Sequence, residues 1–117
     1  MEIHRFRGSA AGRNRAVEYN GFVWTVATAP SSQDSVGGQT TQCLAVLEQS
    51  LEEAGSSKTR ILSAHIFLVD MATKPEMDEV WNAWIGPNPD HWPQRACVGA
   101  ALAEGCRVEI ILLAAKA

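Results

Sequence analysis

The sequence lacks most of the features that would assign it quickly. Its three cysteines, Cys43, Cys97 and Cys106, are odd in number and show no CxxC spacing, which excludes a disulfide framework and fits a reducing compartment. Its three histidines, His4, His65 and His91, lie far apart with no HxxxH pattern, so no metal site is expected, and His65 reads as a hydrogen-bonded strand residue. The longest apolar run, Ile110 to Ala115, is far short of a membrane span, and no apolar segment follows Met1 to Phe6 as a signal peptide would require. A cytoplasmic protein with no membrane partner is therefore expected. Positive charge is also scarce: ten Lys and Arg stand against 13 Asp and Glu, for a net charge of −3. Only Arg5, Arg7, Arg13 and Arg15 approach a cluster, so nucleic acid is an improbable partner.

What is present is enough for one domain over residues 1–117, with 46% hydrophobic residues and no repeat, low-complexity block or long linker. A core of this size is modest, and oligomerisation would supplement it. Ile3 to Phe6 reads as a short edge strand. Arg15 to Tyr19 and Phe22 to Thr28 read as strands joined at Asn20-Gly21, because both turn residues tolerate positive φ. From about Ser35 to Ala54 the period changes, and Thr40, Leu44, Leu47, Leu51 and Ala54 form the apolar stripe of a helix stopped by Gly55. Arg60 to Val69 reads as a central strand. Lys74-Pro75-Glu76 opens a second helix whose stripe is Met77, Val80, Trp81 and Trp84, and Gly86-Pro87 ends it. The stripe position of these tryptophans favours core packing over base stacking.

Two strand-like runs follow, and each holds one charge in an otherwise apolar setting: Arg95 before Ala96-Cys97-Val98, and Glu109 within Val108 to Leu112. Ala103-Glu104-Gly105 is short enough to close a hairpin between them. With odd residues opposite odd, Arg95, Cys97, Arg107 and Glu109 would share one face of the sheet, where the two charges make either a structural ion pair or a carboxylate-binding cation beside an acid or base. The order of elements, three strands, helix, strand, helix and two strands, gives an α+β class with a mixed sheet and two helices on one face.

Several fragments, taken in order, resemble the YjgF/RidA family of reactive-intermediate deaminases over nearly the whole chain: Gly37-Gly38-Gln39-Thr40, Leu51-Glu52-Glu53-Ala54-Gly55-Ser56-Ser57, Ile66-Phe67-Leu68-Val69-Asp70-Met71, Pro93-Gln94-Arg95-Ala96-Cys97-Val98 and Val108-Glu109-Ile110. Ala83-Trp84 and the N-terminus look closest to the YoaB-like branch. The resemblance implies a chorismate-mutase-like subunit, a homotrimer with ligand clefts between subunits, and no cofactor. It implies hydrolysis of 2-enamine and 2-imine carboxylates to 2-ketoacid and ammonia. It also implies that Arg95 holds the substrate carboxylate, that Cys97 lines the cleft through its backbone, and that Glu109 is the catalytic acid or base. The chain departs from the family's pattern at the pocket wall, with Arg13 where a tyrosine is usual, Val26-Ala27 where Ser-Gly is usual, and Asp78 where an asparagine is usual; the connection between Arg95 and Glu109 is one residue shorter. Two other readings accompany this one: a non-catalytic trimer that binds a small carboxylate or 2-ketoacid, and an RNA-directed translation inhibitor or endoribonuclease, which the acidic composition does not favour.

Overall fold

Asn20 and Gly21 take φ values of 53° and 83°, and the strands they join, β2 (Asn14–Tyr19) and β3 (Phe22–Thr28), pair from Tyr19 opposite Phe22 to Ala16 opposite Thr25. The positive φ at both central residues matches the turn to the right-handed twist of the strands. A short strand β1 (His4–Arg7) adds to the outer side of β2. The computed structural model describes residues 1–30 and 34–117.

Helix α1 (Val36–Glu53) begins where Ser35 caps it, its side chain accepting a hydrogen bond from the Gly38 N–H at 3.2 Å. It ends at Gly55, φ 86°, where the Ser56 and Gly55 N–H groups donate to the Leu51 and Glu52 carbonyls. That double bond to the last turn is why a glycine is needed here. Strand β4 (Ile61–Leu68) follows, then helix α2 (Lys74–Ile85) with Pro75 in its first turn, strand β5 (Gln94–Gly99) and strand β6 (Val108–Ala115). The six-stranded sheet has the order β1-β2-β3-β6-β4-β5, with β4 and β5 parallel and every other pair antiparallel. Both helices cover one face. Alternate residues of the inner strands point at them: Val23 from β3, Ile110 and Leu112 from β6, Ile66 and Leu68 from β4. They pack on Leu44, Leu47 and Leu51 of α1 and on Met77 and Trp81 of α2.

The last two strands do not form the hairpin that Ala103-Glu104-Gly105 suggests: β4 lies between them, paired with β5 on one side and β6 on the other. The physical reason is visible in their composition. Strand β6 is apolar on both faces and belongs inside a sheet, whereas β5 is charged or exposed at most positions and tolerates an edge. The connection runs over the end of β4, where the Ala100 N–H donates to the Leu68 carbonyl and the Val69 N–H to the Arg107 carbonyl. Gln39, fully buried, holds this connection to α1 by donating to the Gly105 carbonyl at 2.9 Å and accepting from the Arg107 N–H at 2.8 Å.

Candidate functional site

Parallel pairing of β5 with β4 puts Arg95 opposite Ala64 and Cys97 opposite Ile66, so both side chains rise on the helix-covered face. There Arg95 meets α2. Its Nη2 donates to Asp78 Oδ1 at 2.7 Å, and its guanidinium carbon sits 5.5 Å from the centre of the Trp81 ring. Lys74, one turn before Asp78, donates to the other carboxylate oxygen, Oδ2, at 2.7 Å. The three side chains are partly open to solvent, Arg95 least so at 21%. Burial pushes the Asp78 carboxyl up, but the hydrogen bonds and charges of Lys74 and Arg95 outweigh it and hold the group below the usual carboxylate range.

Because β5 is an edge strand, its outward backbone groups have no neighbouring strand among the described residues. The Ala100 N–H points to Leu68 of β4, and main-chain groups alternate sides along a strand, so the N–H groups of Arg95 and Cys97 point to the free edge. The Arg95 guanidinium and two outward main-chain N–H groups, those of Arg95 and Cys97, are thus carried by one edge strand, and both kinds of donor can serve a carboxylate. The Cys97 thiol has a different character. Burial pushes it above its ordinary value, the Arg95 and Lys74 charges only partly offset this, and at neutral pH it stays protonated, unlike a nucleophilic thiolate. Cys43, at the back of α1 against the Ala27 carbonyl, is pushed by burial to about 12.

Glu109 is elsewhere. It pairs with Thr28 and Phe67 on the face that no helix covers, together with Val26, Ile111 and His65. Leu112 of β6 opposes Ala64, the partner of Arg95, so Glu109 lies three residues further along and two strands over, roughly 10 Å in each direction, with its side chain on the opposite face. The expected sharing of one face by Arg95 and Glu109 therefore does not occur within the chain, and the ion-pair partner of Arg95 is Asp78. The insertion of β4 is the cause.

Of the remaining wall residues, Val26 lies on the open face beside Ile111, Ala27 is buried against α1, and Arg13 is exposed in the connection between β1 and β2. His65, expected to be hydrogen-bonded, is exposed on the open face with no side-chain partner among the described residues. Two participants escaped the sequence reading, Lys74 and Trp81 as neighbours of Arg95. The i, i+4 spacing of Lys74 and Asp78 was a signal for the first. A cavity of about 320 Å³ lies apart from Arg95, between the start of α1 and the end of β4, lined by Ser35, Val36, Val69, Asp70, Glu76 and Arg107. Glu76 fills its helix end by accepting from the Gly37 N–H at 2.7 Å.

Residues 4–116 match the model of a family described as Endoribonuclease L-PSP. A RutC family protein of Haemophilus ducreyi is 34% identical over 99 residues, covering 83% of each chain. The RutC family protein YoaB of Escherichia coli is 40% identical over 78 residues, 66% of this chain and 67% of its own. Among solved structures, a member of the YjgF protein family from Neisseria meningitidis superposes with a TM-score of 0.91 at 36% identity, covering 100% of this chain and 97% of that one.

Proposed function

Since the chain belongs to the Endoribonuclease L-PSP (YjgF) family, we propose that it hydrolyses 2-imino and 2-enamine carboxylates to 2-ketoacids and ammonia. The observation that carries this reading is the placement of Arg95 at the free edge of β5 beside outward main-chain donors. A guanidinium presents two parallel donors to a carboxylate, and the Cys97 N–H supplies a third contact. Imine hydrolysis is intrinsically easy, so holding the substrate near an attacking water supplies much of what an enzyme must add.

Glu109 is the proton carrier in this proposal: it takes a proton from water, delivers it to nitrogen, and assists the departure of ammonia from the carbinolamine. Its position on the face opposite Arg95 gives the proposal a structural requirement. One substrate touches both residues only if they come from different copies of the chain, in a cleft of the kind a homotrimer would form. The exposed apolar side chains of the open face, Trp24, Phe22 and Val98 among them, favour its burial by further copies. A non-catalytic reading is favoured by a separate observation: within one chain Arg95 and Glu109 lie on opposite faces of the sheet, so the carboxylate anchor stands without the proposed proton carrier.

The test generates imines from a panel of amino acids with an amino-acid oxidase and traps survivors with semicarbazide. The native protein lowers the trapped product, and Arg95→Ala, still assembled, loses at least a hundredfold of that effect, in line with losing both a charge-assisted hydrogen bond pair and substrate orientation. Equal turnover in the variant sinks the reading. Arg95-dependent binding of 2-ketoacids without turnover selects the non-catalytic alternative.

A further inference from the structure

We propose that Asp78, held between Lys74 and Arg95, is a charge filter that sets this edge to accept one carboxylate, so that the site favours 2-imino and 2-keto monocarboxylates with uncharged side chains over dicarboxylates. The proposal deepens the reading above and rests on Arg95 as the carboxylate anchor.

The argument begins with the donors. Arg95 has five N–H donors and Lys74 three, and among the described residues each uses one, both on Asp78. Each oxygen of Asp78 is thereby taken by a different cation, and the aspartate does not close the guanidinium against a second, two-toothed ligand. What it changes is charge. Within one copy of the chain two cations and one carboxylate leave a net charge of +1, at side chains between 21% and 39% exposed, and the Glu109 that another copy brings to the proposed cleft can only lower it. One incoming carboxylate neutralises that excess. A second carboxylate on the same ligand then meets a site with no charge left to offer and with the Asp78 oxygens nearby, at a place where partial burial keeps the repulsion from being fully screened.

Asparagine at position 78 would keep the carbonyl oxygen that accepts from Arg95 and would raise the net charge to +2. Glutamine at position 74 would lower it to zero. The two changes have nearly the same size as the residues they replace, and they move the site in opposite directions, which separates an electrostatic role of Asp78 from a role in holding α2 against β5.

The experiment measures the affinity of 2-oxobutyrate and 2-oxoglutarate by calorimetry, at low ionic strength, for the full chain and for Asp78→Asn, Lys74→Gln, the double variant and Arg95→Ala. The native protein prefers 2-oxobutyrate. Asp78→Asn shifts the affinity ratio toward 2-oxoglutarate by roughly tenfold, as expected for one unit of charge at a partly exposed site, and the shift shrinks as salt is added. Lys74→Gln weakens both ligands, and the double variant returns the ratio to near its native value. A ratio that Asp78→Asn leaves unmoved, or that the double variant fails to restore, overturns the filter while leaving Arg95 as anchor. Absence of binding to the native protein, or binding that survives Arg95→Ala, overturns the anchor and the filter together. Arg95-dependent binding without imine turnover counts against catalysis alone, and the ratio still decides the filter.

Discussion

At Asp78 the balance of burial against two cations has a sign that can be checked in the stability of the protein. Its carboxyl lies below the ordinary value of 3.8 in the folded chain, because the hydrogen bonds and charges of Lys74 and Arg95 outweigh desolvation. A group depressed on folding adds stability at pH above its unfolded value and loses that contribution as pH falls through the folded value. Thermal melts of the native protein should therefore lose stability as pH falls below about 4, and the Asp78→Asn variant should lose less over the same range. Glu109 offers a second test at this scale. Glu109→Gln keeps the size and the hydrogen-bonding oxygen and removes the exchangeable acid, so imine turnover should fall by about tenfold to a thousandfold while the melting temperature changes little. Unfolding of that variant would assign Glu109 to structure instead. The Cys97 thiol is raised above its ordinary value by burial, which leaves the main-chain N–H as the group of this residue that the proposed site would use.

At the scale of elements, the fold is held by the meeting of α1 with the inner strands. Leu47 is fully buried where the stripe of α1 crosses the sheet, and Leu47→Ala should cost roughly 3 kcal/mol through lost burial and the cavity left behind, measurable by denaturant titration. That stripe was legible in the sequence, as were the Asn20-Gly21 turn, the inner position of β4 in the sheet and the Pro75 start of α2. Each is written in a few consecutive residues. The pairing of β5 with β4 was not legible, because Ala103-Glu104-Gly105 is good turn chemistry whether it closes a hairpin or carries the chain over an intervening strand. Only the contrast between an edge-tolerant β5 and a two-sided β6 separates these outcomes, and that contrast acts through partners distant in sequence. The same ambiguity hid the site: Arg95 and Glu109 were each recognisable as charges out of place, but which face each would occupy depended on strand order.

Over the whole molecule, the sheet has one face closed by helices and one left bare, with Trp24, Phe22 and Val98 between 39% and 48% exposed. In the assembly proposed above, this bare apolar face is where a neighbouring copy would sit. Ile111 lies on it, between Val26 and His65, away from the core. Ile111→Asp should leave the far-ultraviolet circular dichroism of the subunit unchanged while moving its mass by light scattering toward that of a single chain; a variant that stays assembled would place the contact elsewhere. No helix among the described residues is long and apolar enough to cross a membrane.

The edge position of β5 has one more consequence. Unpaired main-chain groups on an outer strand are a template onto which another extended chain can add, and runaway addition of that kind is how soluble sheets begin to form fibrils. Strands guard against it by carrying charge where a stacked neighbour would have to bury it. Arg95 and the Lys74 ammonium place such charge beside this edge, so the side chain proposed above to grip a small anion would also oppose the stacking of a further strand.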